Sequence, residues 1–471
     1  MQYISTRGQA PKIGFCDVLL AGLARDGGLY VPETWPKLGK SAVGAAATSA
    51  KNSASASYAQ KAASIMSPFV GAEIDQQIFK KLCADAYSTF RHSEVAPLVE
   101  IGPNEYLLEL FHGPTLAFKD VALQLVGKLF DHVLTQRNER VMIVGATSGD
   151  TGGAAFDGIA ACRNVDIVML YPNNRVSDVQ RRQMTTLTAP NVHAVAVDGT
   201  FDDCQDLVKA MFNDQEFRDA NQLSAVNSIN WVRVMAQVVY YVTAIEKLGR
   251  SAVFSVPTGN FGNVLAGWIA KQMGAQIEGF VVASNTNDIL TRFFESKQMV
   301  ANEVVPTLSP SMDIQVSSNF ERLLFETNNR DGVETAKQLT DFRATGKLEV
   351  GASVYQKWFE SAFVGRRCSD EQTLATMQDV YKQSAMLIDP HTAVGLSAAR
   401  QSAGVDYPKN MPMITLATAH PAKFPDAVRR ATGQTPKLPE HLADLMSRPE
   451  RSVSLPNDLG AVQAFVASCR K

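Results

Sequence analysis

A lysine near the start of a helix is the residue of this sequence best suited to covalent chemistry. Residues 111–120 read FHGPTLAFKD, and the apolar residues that follow are spaced as in a helix that begins near 116–118. Lys119 therefore lies in the first turn, where the positive end of the helix disfavours a cation and should lower the pKa of the amine. Such an amine is a good nucleophile for Schiff-base chemistry, although a solvated surface lysine is the simpler interpretation of this segment alone.

Two loops of small residues could each hold an anion. VGATSGDTGG at 144–153 joins a predicted buried strand to a helix, and PTGNFGN at 257–263 does the same before a helix at 264–273. Backbone N–H groups at a helix N-terminus favour negative charge, and Gly259 and Gly262 let the backbone approach a ligand closely. Either loop alone could equally be a tight strand–helix turn. Two of them after two strands of one sheet, as we expect here, indicate a phosphate site more strongly.

A threonine follows a further apolar run. Thr418 comes directly after Met413–Ala417, where a strand-end hydroxyl could face the same site. The alternative is a turn residue that satisfies local backbone groups, and for Thr418 taken alone this alternative is the stronger one.

The elements that must position these residues are those of a largely parallel α/β sheet. Short runs rich in Val, Ile and Leu alternate with amphipathic segments, which is typical of βαβ units. In such sheets ligands bind beyond the carboxyl ends of the strands, where the loops above lie. The region 1–97 differs, because its later part is mostly helical and an Ala/Ser-rich stretch at 41–57 predicts a flexible surface loop. The strand-like runs are 140–144, 165–171, 193–197, 252–256, 279–283 and Met413–Ala417.

Composition argues against several classes of protein. With 471 residues, 45% hydrophobic and 20% charged, the chain can bury a large core and is not a disordered protein. Lys and Arg number 45 against 47 Asp and Glu, which argues against a nucleic-acid or membrane-surface protein. The six cysteines are scattered, the histidines lack metal-binding spacing, and the sequence has no signal peptide or membrane-length apolar run. We therefore expect no metal and a cytoplasmic location.

A set of motifs in fixed order resembles the threonine synthases, a family of pyridoxal phosphate (PLP) enzymes of the tryptophan-synthase-β fold type. Single motifs of this length are modest support, whereas the ordered set spans nearly the whole chain. The motifs are YISTRG (3–8), LARDGGLYVP (23–32), HGPTLAFKD (112–120), GATSGDTGG (145–153), VNSINWVR (226–233), PTGNFGN (257–263), ASNTND (283–288), SMDIQVSSNFER (311–322), DPHTAVG (389–395) and TAHPAKF (418–424).

The resemblance implies an α/β fold of type II, with two lobes built on parallel sheets and an N-terminal, mostly helical domain at 1–97. The larger, PLP-bearing lobe would comprise 98–134 and 241–471, and a smaller mobile α/β lobe at 135–240 would close on the substrate. Thr418 would contact the pyridine nitrogen, and Asp150 would lie near the phenolic oxygen. The cofactor-binding residues would be Lys119, as a Schiff base, with Gly259, Asn260, Phe261, Gly262, Asn263, Thr418 and Asp150.

The resemblance also implies a reaction, the conversion of O-phospho-L-homoserine and water into L-threonine and phosphate by a lyase of threonine biosynthesis. Lys119 would be the catalytic residue, while Arg233 and Lys423 are candidates for holding the substrate phosphate. The substrate-binding residues would be Ser148, Gly149, Thr151, Arg233 and Lys423.

The same residues are compatible with other functions. A related PLP-dependent phospho-lyase or a threonine or serine dehydratase would share Lys119 and a glycine-rich loop, and a cofactor-free binding protein on the same fold is a second alternative. We expect a small-molecule substrate, no nucleic-acid or membrane partner, and a monomer or weak homodimer.

Overall fold

The computed structural model describes residues 1–39 and 56–470. The predicted Ala/Ser-rich loop at 41–57 lies outside the described residues, except for its last two. Ser57 caps the helix that follows, because its hydroxyl accepts the N–H of Gln60 and the Gln60 side chain accepts the N–H of Ser57. This reciprocal capping stabilises the N-terminus of the helix Tyr58–Val70.

The predicted strand-like runs all form strands, and their ends differ from the prediction by at most two residues. In chain order the strands are β1 Tyr3–Ser5, β2 Tyr30–Pro32, β3 Leu98–Gly102, β4 Glu105–Glu109, β5 Val141–Ala146, β6 Val165–Pro172, β7 Val192–Asp198, β8 Leu223–Ser224, β9 Ala252–Pro257, β10 Ile277–Ser284, β11 Gln298–Val300, β12 Lys347–Glu349, β13 Phe363–Arg367, β14 Met413–Ala417 and β15 Val453–Pro456.

The helices fall between the strands, as the βαβ pattern predicts. They are α1 Phe15–Ala21, α2 Tyr58–Val70, α3 Gln76–Tyr87, α4 Lys119–Arg137, α5 Asp150–Ile159, α6 Asp178–Thr185, α7 Phe201–Asn213, α8 Gln215–Asn221, α9 Trp231–Leu248, α10 Gly262–Met273, α11 Ile289–Ser296, α12 Phe320–Thr327, α13 Gly332–Thr345, α14 Ala352–Trp358, α15 Asp370–Ser384, α16 Pro390–Ser402, α17 Pro425–Thr432 and α18 Leu459–Cys469. Short 3₁₀ helices cover Pro310–Met312, Pro421–Lys423, Glu440–Leu442 and Leu445–Ser447.

The larger sheet has six strands in the order β13-β10-β9-β14-β4-β3. All neighbours in it are parallel except β3 and β4, which form an antiparallel pair at one edge. Every residue of the central strands β9 and β14 is buried, because helices cover both faces of the sheet. The prediction of a parallel α/β core is confirmed, and the carboxyl ends of β4, β14 and β9 lie side by side.

A second sheet has five parallel strands in the order β15-β7-β6-β5-β8. The loop at 144–153 leaves β5 of this sheet, whereas the loop at 257–263 leaves β9 of the larger one. The expectation that both loops follow strands of one sheet is therefore wrong. The strands of the two sheets have the same apolar composition, so the sequence alone does not show to which sheet a strand belongs. The last strand, β15, pairs with β7, so this segment belongs to the smaller sheet although the predicted larger lobe included it.

The N-terminal region combines the antiparallel pair β1–β2 with helices α1 to α3, which pack against α4 and α9. The Tyr3 hydroxyl donates to the carbonyl of Phe69 at 2.8 Å and accepts the indole N–H of Trp231 at 3.1 Å. Both bonds are buried, so Tyr3 of β1 connects the N-terminal region to α9 as well as to its own helix α2.

Residues 1–39 and 56–470 show neither a membrane-spanning helix nor a cluster of metal ligands. No helix there is long and apolar enough to span a membrane. Nor do these residues bring together three or more His, Cys, Asp or Glu side chains in a group that could hold a metal ion.

Candidate active site

Three of the predicted segments meet at the carboxyl ends of neighbouring strands. The loop that carries Lys119 follows β4, Thr418 follows β14, and the loop at 257–263 follows β9, with β14 between the other two strands. The N–H of Phe118 donates to the carbonyl of Thr418 at 2.9 Å, so the residue before Lys119 is fastened to the end of β14. The sheet therefore brings these predicted site residues together at one edge.

Lys119 is the first residue of α4 and is only 8% exposed. Its Nζ donates to Oδ2 of Asp150 at 3.1 Å. Burial lowers the pKa of the Lys119 amine, Asp150 opposes this effect, and the positive charge of Lys423 adds to it. The position at the helix start agrees with the prediction, and the surface-lysine interpretation is wrong because the side chain is buried.

Asp150 is the first residue of α5 and the central acceptor of the site. Besides Lys119 it accepts the side-chain N–H of Gln180 at 2.9 Å and the hydroxyl of Ser311 at 3.1 Å. Burial by itself would raise the pKa of Asp150, but Lys119 and Lys423 hold it well below its usual value. Asp150 is therefore a carboxylate that links the smaller sheet to the larger one.

Lys423, in the 3₁₀ helix Pro421–Lys423, is fully buried. Its Nζ lies 3.0 Å from Oδ1 of Asp150 and donates to the carbonyl of Thr115 at 2.8 Å and to Oε1 of Gln183 at 2.9 Å. An ammonium group has three N–H donors, and three protein acceptors surround this one. For Lys423 to bind a substrate phosphate, as predicted, it would have to release one of these acceptors.

Arg233 lies in the first turn of α9 and is also buried. Its Nη1 donates to the carbonyl of Val226 at 3.0 Å, and burial lowers the pKa of the guanidinium to about 10. Within the described part of the chain, the buried Nε of Arg233 has no hydrogen-bond partner, and neither has Oε1 of Gln237 one turn further along. A buried N–H donor without a partner destabilises the folded protein, so an anion bound beside Arg233 would stabilise the folded protein by accepting from Nε.

The loop at 257–263 has the geometry of an anion seat. Phe261 caps α10 with a positive φ of 61° and has no side-chain oxygen, so no side chain at this position satisfies the first N–H groups of the helix. A Cβ built on Gly259 would lie 2.7 Å from the carbonyl oxygen of Ser311, which leaves room at this position for glycine alone. The hydrogen-bond donors that this loop offers to an anion are therefore its backbone N–H groups.

The two asparagines of this loop differ in their surroundings. Asn260 is exposed, and its side-chain oxygen accepts the hydroxyl of Ser318 at 3.1 Å. Asn263 is buried, its Oδ1 accepts the hydroxyls of Tyr240 and Tyr241, and its Nδ2 lacks a partner among the described residues. The side-chain NH₂ of Asn263 thus has both of its N–H donors left for a ligand, while the side chain of Asn260 contacts another loop.

The other small-residue loop is shaped by its own threonine. Oγ1 of Thr147 accepts the N–H groups of Gly149 and Gly152 at 2.9 and 3.0 Å. Gly149 has a φ of 133°, a conformation that only glycine adopts readily. Ser148 and Thr151, on either side of Gly149 and Asp150, are half-buried.

The residue after the lysine, Asp120, fixes the turn that leads into α4. Its carboxyl oxygens accept the N–H of Thr115 at 2.8 Å and the hydroxyl of the same residue at 2.5 Å. Burial raises the pKa of Asp120 to about 7, against the two hydrogen bonds that favour the carboxylate. The carbonyl of Thr115 is an acceptor for Lys423. By holding Thr115, Asp120 therefore helps to position an acceptor of Lys423.

We expect Asp120→Asn to flatten the pH dependence of stability. The amide can accept the N–H of Thr115 and donate to its hydroxyl, as the protonated acid does. In the wild type, folding raises the pKa of Asp120 from 3.8 to about 7. The folded state therefore keeps a proton that the unfolded chain releases, and this contribution to stability falls as the pH rises through that window. Urea unfolding at about pH 5 and about pH 7 should show the wild type losing more stability than the variant, and equal losses would contradict the assignment.

Several residues of the site were not predicted from the sequence. Ser311 belongs to the motif SMDIQVSSNFER, but the sequence assigns it no role, and no motif marks the helix that carries Gln180 and Gln183. Their polar side chains lie on the buried face of α6, three residues apart. That spacing is visible in the sequence, but the carboxylate and ammonium they meet come from other segments.

The chain matches the family model described as "Pyridoxal-phosphate dependent enzyme" over residues 94–348. With the strand-end site around Lys119, this match defines a PLP-dependent enzyme of fold type II. Residues 2–87 match "Threonine synthase N terminus" and residues 392–466 match "Threonine synthase, C-terminal". The chain belongs to the threonine synthase family.

Individual relatives agree over the full length. The threonine synthase of Pseudomonas aeruginosa is 53% identical over 473 residues, covering 99% of this chain and 98% of the relative. A PLP-bound threonine synthase from Brucella melitensis has a TM-score of 0.94 at 49% identity, covering 100% of both chains. The yeast threonine synthase structure has a TM-score of 0.91 at 38% identity, covering 99% of this chain and 98% of that one.

Proposed function

We propose that this chain converts O-phospho-L-homoserine and water into L-threonine and phosphate, with PLP held on Lys119. The observation that carries the proposal is the buried amine of Lys119 at the meeting point of three strand-end loops, in a full-length member of the threonine synthase family. The six cysteines are all buried and unpaired, which fits a cytoplasmic enzyme, and we propose a monomer or weak homodimer.

The residues present fit the cofactor. Lys423 is the other lysine on Asp150, but it is fully buried and surrounded by three acceptors, whereas Nζ of Lys119 has Asp150 as its acceptor among the described residues. The uncapped N-terminus of α10 suits the cofactor phosphate, with Gly259, Asn260, Phe261, Gly262 and Asn263 as its seat. Thr418, between these two groups, suits the pyridine nitrogen. When bound, PLP supplies an electron sink for negative charge on substrate carbon.

The chain's own residues then move protons and orient the substrate. Nζ of Lys119 is the base that removes the protons from Cα and later from Cβ of the substrate, and its lowered pKa favours the neutral amine needed for this role. The carboxylate of Asp150, held ionised by two lysines, keeps Nζ in place between these transfers. A smaller lobe, 135–240, closing on a larger lobe would limit water until it is needed.

The substrate carries two anionic groups, a carboxylate and a phosphate. The N–H groups and hydroxyls of Ser148 and Thr151 suit the carboxylate, because they lie at the N-terminus of α5. Gly149 gives the loop its turn, since its own N–H donates to Thr147. The unpaired Nε of Arg233 suits the phosphate, with Lys423 as a second cation once it releases an acceptor.

The proposed function is tested by the products of the purified protein. Phosphohomoserine should yield phosphate and threonine in equal amounts. Release of 2-oxobutyrate with little threonine would identify a related phospho-lyase or dehydratase instead, because water would not have been added at Cβ.

Gly259→Ala should weaken PLP binding by about tenfold or more, because the loop must move to relieve the contact with Ser311. The new Cβ would lie 2.7 Å from a backbone oxygen, which a side-chain rotation cannot relieve. A matched control is Gly460→Ala in α18, where the nearest atom lies at 3.4 Å and affinity should not change. PLP dissociation constants from absorbance titrations give the comparison, and equal values for both variants would exclude the proposed seat.

A further inference from the structure

A chain of hydrogen bonds outside the proposed roles ends at Asp150. Asp389, the N-cap of α16, accepts the N–H groups of His391 and Thr392, and its Oδ1 lies 2.8 Å from Nδ1 of His391. Nε2 of His391 accepts the N–H of Ser311 at 3.2 Å, and the hydroxyl of Ser311 donates to Asp150 at 3.1 Å. Asp389, His391 and Asp150 are all buried, so water competes little for these bonds.

The hydrogen-bond partners define which nitrogen of His391 carries the proton. Asp389 also accepts backbone N–H groups at the start of a helix, an environment that favours a carboxylate, so Nδ1 of His391 is the donor to it. Nε2 is then an acceptor, as its bond from the backbone of Ser311 requires. Asp389 thus orients the imidazole with its lone pair toward Ser311.

Ser311 contacts both halves of the site. Its hydroxyl donates to the same oxygen of Asp150 that receives Nζ of Lys119. Its carbonyl lies against the backbone of Gly259 in the anion seat. A small displacement of Ser311 would therefore change the surroundings of the catalytic amine and of the phosphate seat together.

We propose that Asp389 and His391 are positioning residues, which hold Ser311 so that its hydroxyl keeps Asp150 beside Lys119. This role rests on the proposed function, in which Nζ of Lys119 moves protons. His391 acts through an acceptor nitrogen and does not touch the reacting atoms. A purely structural role would rest instead on ring packing, since His391 and Phe424 have their ring centroids 4.8 Å apart.

Two variants of His391 separate these roles. His391→Phe keeps an aromatic ring against Phe424 but removes the acceptor for Ser311. His391→Gln loses the ring but can present a side-chain oxygen to the same N–H. If the acceptor matters, the glutamine variant retains function and the phenylalanine variant does not.

The first readout needs no cofactor and no turnover. Amide hydrogen exchange in a peptide that includes Ser311 should be faster in cofactor-free His391→Phe by about tenfold, and within about threefold of wild type in His391→Gln. Exchange unchanged in the phenylalanine variant, or equally fast in both, would overturn the proposal. Should the phenylalanine variant fail to fold, a glutamine variant with fast exchange would overturn it alone.

The second readout is a double-mutant cycle with Ser311→Ala. Each of His391→Phe and Ser311→Ala should lower kcat by about tenfold with little change in KM, and the double variant should be within about twofold of Ser311→Ala. Additive losses would mean that His391 does not act through the hydroxyl of Ser311 and would overturn the proposal. If wild type itself forms no threonine, the proposed function fails, whereas the exchange result tests the link to Ser311 separately.

Discussion

Replacing Lys119 by alanine is expected to lower kcat by about 10³-fold or more, because the variant loses both the covalent attachment point and the base. The buried amine is the first residue of α4 and meets Asp150 at 3.1 Å. Without the amine, Oδ2 of Asp150 loses one hydrogen bond, while Lys423, Gln180 and Ser311 still contact the carboxylate. The protein should therefore fold, and the loss should appear in initial rates of phosphate release.

Two control variants show which property of Lys119 matters. Lys119→Arg keeps a cation beside Asp150 but cannot form a Schiff base at neutral pH, so its activity should be as low as that of the alanine variant. Lys128→Ala, further along the same helix, should retain wild-type activity. Activity of Lys119→Ala within about tenfold of wild type would show that another group performs the chemistry.

Replacing Asp150 by asparagine should lower kcat by about 10²-fold and destabilise the protein by about 3–5 kcal/mol near neutral pH. In the cofactor-free protein, where stability is measured, the variant leaves two buried amines, Lys119 and Lys423, without their shared carboxylate. Because Asp150 opposes the lowering of the Lys119 pKa by burial, its loss lowers that pKa further. The matched control is Asp178→Asn, at the first position of the exposed start of α6, which should be nearly neutral.

The same variant has a pH dependence of known sign. An amine whose folded-state pKa lies below its unfolded value makes stability rise with pH between the two values, because only the unfolded chain binds the proton there. In Asp150→Asn this rise begins at lower pH, so the deficit relative to wild type should narrow as the pH increases toward the ordinary lysine pKa of 10.5. Urea unfolding measures the deficit, and one that widens with pH would contradict the pairing of Asp150 with the lysines.

Much of the larger sheet could be predicted from local sequence, because buried parallel strands are short apolar runs followed by glycine turns. This holds for β9, β14 and the loops that follow them, and it led to Thr418 and Gly259. The strand β15 could not be found in this way, since its residues are mostly exposed. The partition of the strands between two sheets depends on pairing between distant segments, which runs of one composition do not encode.

The contacts around the catalytic amine were less predictable than the amine itself. Lys119 is marked by its place at a helix start, but Asp150 meets it across 31 positions of sequence and Lys423 approaches Asp150 from a third segment. The sequence indicated Lys423 as a phosphate ligand, whereas the structure surrounds it with protein acceptors. The sequence does not show whether a lysine is already paired with protein acceptors or is free to bind a ligand. The three-dimensional arrangement of the site is needed to distinguish these two cases.

Borohydride reduction of the protein purified with its cofactor, followed by peptide mass spectrometry, tests the central assignment most directly. We expect one reduced pyridoxyl adduct, on the peptide that contains Lys119. An adduct on the peptide that contains Lys423, the other lysine beside Asp150, or no adduct on any lysine, would contradict it.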